Sequence, residues 1–162
     1  MKTLNSKTVL MSVFVIALIC TSVACSQKSK MKQAYADQAK SIFVIPSEIK
    51  WFDTEFPGQK MAILEGDPKK PGSLFTIRIK DSAGFKIPIH WHPTDEHVTV
   101  LSGTLYFGLG DKFDRTKAKA YPAGSYFMIP AKTNMYGWAD EDFIVQVHGM
   151  GPFEVHLIGS EQ

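Results

Sequence analysis

From Ile42 onward the chain is written in short runs with a two-residue apolar period, separated by glycine and proline. The clearest run is SLFTIRIKD (73–81), in which Phe75, Ile77 and Ile79 alternate with Thr76, Arg78 and Lys80. Successive side chains of a strand point to opposite faces, so this run forms a strand with one apolar side. HVTVLSGTLYFGLG (97–110) reads as two strands turning at Ser102-Gly103, and SYFMIP and FIVQVHG read as two more. Turn signals at Pro57-Gly58, Gly66-Asp67-Pro68, Pro71-Gly72, Ala123-Gly124, Gly149 and Gly151-Pro152 keep the runs short, and no long helical pattern follows residue 41. Strands with no helices to cover them must bury their apolar faces against one another. The expected fold is therefore all-β, a sandwich or small barrel.

Within this pattern stands IHWHPTDEH (89–97). The period of two puts His90 and His92 on one face and Trp91 on the other. Pro93-Thr94-Asp95 turns the chain, and Glu96 opens the next strand. Two imidazoles and a carboxylate from adjoining strands converge, and this donor set suits one divalent transition metal: zinc, iron, manganese, nickel or copper. An HxH pair alone is equally a pair of polar residues at a strand end.

Gly84, five residues, His90-Trp91-His92, three residues, Glu96, six residues and Gly103 match the first cupin motif, G(x)5HxH(x)3E(x)6G, at every position. The chain resembles the cupin superfamily over roughly residues 60–158. KIPIHWHPTDEHVTVLSGTLYFGLGDKF and VQVHGMGPF look like a group of bacterial cupin-domain proteins whose reactions are mostly unassigned. The resemblance implies a double-stranded β-helix, the jelly-roll barrel, with His90, His92 and Glu96 as metal ligands. The second cupin motif, G(x)5PxG(x)2H(x)3N, is altered. Gly124 and Pro130 fit, but Lys132 takes the place of a glycine, Met135 that of the fourth ligand, and Ala139 that of the asparagine.

Met135 has three readings: apolar filling that leaves two histidines and a carboxylate, a thioether ligand suited to Cu(I), or a weakened site. In FIVQVHG, Ile144, Gln146 and His148 share a face. If that face is the interior one, His148 enters the cavity as a proton-transfer group or ligand, and Gln146 orients a substrate. Tyr136 is a second proton donor and Trp138 a pocket wall on the same expectation. His97 should point away from Glu96, and His156 has no partner in sequence. The function expected is that of a metal-dependent enzyme on a small molecule. The alternative is a cupin module that binds a metal or small ligand without turning it over.

The N-terminus reads as an export signal over residues 1–24. Lys2 and Lys7 precede an apolar run, Val9 to Cys20, shorter than the ~20 residues of a membrane span. Ser22-Val23-Ala24-Cys25 resembles a lipoprotein cleavage site, with serine in place of the usual leucine, and makes Cys25 the lipidated residue. Residues 25–41 are a polar tether, and 42–162 a single cupin domain. Cys20 and Cys25 are the only cysteines, which excludes a disulfide inside the domain. This places the protein in the periplasm or on the outer membrane, attached to lipid only through the anchor; simple secretion without lipid is the alternative. Without Lys2 and Lys7, the eighteen basic and sixteen acidic residues balance at sixteen of each, so the charge gives no reason to bind nucleic acid. A homodimer is expected through a strand at residues 42–51, IFVIPSEIKW.

Overall fold

The computed structural model describes residues 41–159 together with residues 27, 28 and 30, which are helical. Cys25, the leader over 1–24 and most of the tether lie outside the described residues. The chain divides at Phe43/Val44, and every described strand lies in the unit Val44–Gln162. Its strands are β1 (Phe52–Asp53), β2 (Gln59–Gly66), β3 (Leu74–Asp81), β4 (Lys86–Trp91), β5 (Glu96–Ser102), β6 (Thr104–Leu109), β7 (Lys119–Pro122), β8 (Tyr126–Ile129), β9 (Met135–Trp138), β10 (Phe143–Met150) and β11 (His156–Leu157).

They form two antiparallel sheets, one in the order β1-β2-β3-β10-β5-β8 and the other in the order β11-β4-β9-β6-β7. From β3 to β6 each strand crosses to the opposite sheet, as does each from β7 to β11, which winds the chain into a jelly roll. The alternation of β3 is realised: Phe75 and Ile77 are buried between the sheets, while Arg78 faces outward and donates from Nε to Gln146 Oε1 at 3.1 Å. Val98 and Val100 of β5, and Leu105 and Phe107 of β6, meet these residues in one apolar core. The β5–β6 turn falls at Gly103, whose φ of +70° is left-handed; a Cβ there would lie 2.6 Å from the Asp142 carbonyl oxygen.

Residues 42–51 correct one expectation, because they carry no strand. Pro46 begins a 3-10 turn, Pro46–Glu48. Its ring fixes φ and removes the N–H that a sheet ladder needs. The edge strand on which the homodimer expectation relied is absent.

Candidate functional site

His90 lies near the end of β4, opposite Met135 of β9 in the register, and His92 follows just past the strand. Glu96 begins β5 on the facing sheet. All three are buried, 7%, 2% and 8% exposed. His90 Nδ1 donates to the Pro88 carbonyl at 2.8 Å, and His92 Nδ1 to the Glu154 carbonyl at 2.7 Å. A carbonyl oxygen only accepts, so both rings carry their proton on Nδ1 and leave Nε2 with a free lone pair. Phe153 stacks on His92 with ring centroids 4.4 Å apart and fixes its other flank.

Burial sets the charges. Desolvation lowers His90, and desolvation followed by the neighbouring His90 lowers His92 to about 4, so both rings are neutral at pH 7. The same burial raises Glu96 to about 7. His92 Nε2 lies 3.8 Å from Glu96 Oε2, and with the ring neutral this approach is not an ion pair. Two neutral imidazole nitrogens and a carboxylate form a donor set for a borderline divalent ion, and the carbonyl caps are the outer contacts that orient such ligands. As the side chains stand, no group of three or more His, Cys, Asp or Glu among the described residues is closed into metal-holding geometry. The donor chemistry fits an ion, and the arrangement is open.

These residues line a cavity of about 410 Å3 between the sheets. Phe107, Phe127, Val145 and Val147 pave its interior, and exposed Glu55, Lys69 and Val155 stand where it meets solvent. Volume and lining are those of a site for a small, largely apolar molecule.

Met135 is 2% exposed and faces this cavity beside His90. Lys132, at the place of the motif's glycine, adopts that glycine's left-handed backbone, with φ +62°, and its N–H donates to the His92 carbonyl at 2.8 Å. The turn that presents the second motif is thus kept without the residue that makes it easy.

Four expected site residues are not in the cavity. Phe143, Val145 and Val147 take the inner face of β10, and His148 and Gln146 take the outer one. The interior accepts the set that is cheaper to desolvate. His148 stacks on His97 at 4.9 Å on the outside of the sheet, and His97 Nδ1 meets the Tyr126 hydroxyl at 2.8 Å. Tyr136 and Trp138 are buried on the outer side of β9. Phe113 and Arg115 cover them there, the Arg115 guanidinium 4.7 Å from the Trp138 ring centroid. Tyr136 donates to the Asp114 carbonyl at 2.7 Å and sits so close to Gly108 that a Cβ there would come within 2.6 Å of its hydroxyl. His156 stacks on Trp91 at 4.0 Å, away from the cavity.

Sequence reasoning missed two residues. Phe153 has no sequence signal beyond its aromaticity. Asp81 had one, because Phe75, Ile77, Ile79 and Asp81 lie on the same side of one strand at a step of two. Asp81 is 1% exposed and lines the cavity.

No family model matches the chain, and no curated protein matches it. Solved structures do. KdgF from Halomonas sp. is 20% identical with a TM-score of 0.54, covering 70% of this chain and 96% of its own. An RmlC-like cupin from Shewanella frigidimarina is 18% identical with a TM-score of 0.55, covering 70% and 93%. The polyketide cyclase RemF from Streptomyces resistomycificus is 16% identical with a TM-score of 0.62, covering 76% and 89%. At these identities the likeness establishes the fold, the cupin-type jelly roll.

Proposed function

We propose that this cupin-fold chain is a metal-dependent enzyme acting on a small, largely apolar molecule. His90, His92 and Glu96 would hold one divalent transition metal: zinc, iron, manganese, nickel or copper. The observation that carries the reading is the pair of buried rings whose Nδ1 protons are taken by the Pro88 and Glu154 carbonyls beside a buried carboxyl on the cavity wall. A fold has no need of two buried, uncapped Nε2 lone pairs, one of them 3.8 Å from a buried carboxyl. When bound, such an ion acts as a Lewis acid toward an oxygen of the substrate. The chain's own residues supply the rest. Phe107, Phe127 and Val147 exclude water and hold the apolar body, Met135 packs beside His90, and Lys69 and Glu55 offer charged groups at the mouth.

A second reading, binding without turnover, is favoured by one finding. The two groups expected to move protons, His148 and Tyr136, face away from the cavity. Under that reading the metal-loaded protein releases its ligand unchanged, which mass spectrometry of extracted ligand would record. The proposal also includes export with a lipid on Cys25, read as labelled palmitate lost in Cys25→Ala.

The deciding experiment is metal content of the full-length protein, purified without a metal-binding tag and titrated with zinc, manganese, iron, nickel and copper. Near-stoichiometric uptake that disappears in the His90→Ala, His92→Ala double variant supports the reading. No uptake under any loading would sink it.

A further inference from the structure

Asp81 is the one ionisable group deep in the cavity that the proposed chemistry does not use. It ends β3, with Gln59 of β2 on one side and Phe143 of β10 on the other. Its Oδ1 has no hydrogen-bond partner. No cation pairs with it among the described residues; the Gln59 amide bonds the carboxyl, and Gln59 Oε1 is itself taken by the Thr54 hydroxyl at 3.0 Å. Buried acceptors are rarely left so, because folding then forfeits their hydration for nothing. A valine there would serve the fold better.

Its position is as informative as its burial. Asp81 is opposite Phe143, whereas Glu96 is opposite Gly149 on the same strand. Six residues of strand separate the two levels, roughly 20 Å along the backbone at ~3.3 Å per residue. Phe143, Val145 and Val147, alternate residues between those levels, all line the one cavity. The cavity therefore runs along the barrel from the histidine end to a lone carboxyl at the other.

We propose that the Asp81 carboxyl is a second polar anchor of the cavity, turning to accept a hydrogen bond from the hydroxyl terminus of an elongated, otherwise apolar ligand. A hydroxyl fits better than an ammonium, since a full charge would have to be stripped of water among phenylalanines and valines. Burial also raises Asp81 to about 7, so near neutrality the protonated and charged forms are both populated and a neutral hydroxyl can partner either. The inference rests on the reading of the cavity as a ligand site, but not on the metal.

The test uses full-length protein with EDTA present throughout and two isomeric probes, 1-octanol and heptyl methyl ether, which lacks the O–H. Calorimetry should show 1-octanol binding about tenfold more tightly than the ether. The preference should persist in Asp81→Asn, which keeps an acceptor oxygen, and vanish in Asp81→Val. Equal affinities in the wild type, a preference that survives Asp81→Val, or binding of neither probe would each overturn the inference. Metal uptake, measured separately, decides the metal reading whatever these probes do.

Discussion

Asp81 makes a quantitative claim on stability. Its carboxyl is raised from 3.8 to about 7, chiefly by burial, with the Gln59 amide opposing the rise. Between those two values the folded protein keeps a proton that the unfolded chain has released. The unfolded state then binds fewer protons, so stability falls as pH rises through this window, by ~1.36 kcal/mol per pH unit. From 3.8 to about 7 the loss comes to roughly 4 kcal/mol. Above pH 7 the loss is complete and the curve flattens; below the unfolded value there is none. Asp81→Asn keeps the shape and abolishes the titration. Glu96, also raised to about 7 by burial, adds a slope of its own to both proteins, so their difference isolates Asp81. Urea unfolding of the metal-free protein at about pH 4.5 and about pH 7.5 should show the variant gaining on the wild type by roughly 3 to 4 kcal/mol between the two. A gap that stays constant with pH would mean that Asp81 is solvated or paired, and the burial argument would be refuted.

Three further perturbations probe other parts of the structure. Lys132→Gly relieves a left-handed residue at a cost of ~1–2 kcal/mol, less the entropy glycine adds to the unfolded chain, so a gain of about 0.5–1 kcal/mol is expected in chemical denaturation. Tyr136→Phe loses the bond to the Asp114 carbonyl and should cost about 1 kcal/mol, while metal uptake stays the same, since the hydroxyl points away from the cavity. Met135→His places an imidazole opposite His90 and should tighten metal binding by roughly tenfold or more, because even contacts outside the ligand set shift affinity by ~10–100-fold. Unchanged affinity there would show that position 135 does not reach the ion.

Much of the fold was legible in the sequence because a strand declares its faces. Phe75, Ile77 and Ile79 against Thr76, Arg78 and Lys80 left no choice of side, and Ser102-Gly103 marked the turn that joins β5 to β6. The spacing of His90, His92 and Glu96 likewise brings all three to the lining of one cavity, the histidines from one sheet and its end, the glutamate from the other. What failed was the choice of face where both faces looked plausible. In β10 a chemically attractive set, Gln146 and His148, competed with a plain one, Phe143, Val145 and Val147, and desolvation favours the plain one. In β9 all four residues are buried, so burial alone could not tell inside from outside. Only the segment around Phe113 and Arg115, folded over Tyr136 and Trp138, decides it, and that packing has no periodic signature. Asp81 escapes such a reading for the opposite reason: a charged residue that closes an apolar alternation resembles a solvated strand end, when Asp81 both ends β3 and takes its next inward step.

The cap on His92 has a consequence for how far such sites can be recognised by pattern. The proton on that ring is fixed by the main chain at Glu154, a position some sixty residues away that any amino acid would serve equally well. Evolution can rewrite that side chain freely and leave the imidazole's readiness untouched. It can also shift the path of the backbone there and disarm the ring while every motif residue stays in place. Two chains with identical histidine spelling can therefore differ in whether the ring is poised, and only the course of the C-terminal backbone tells them apart.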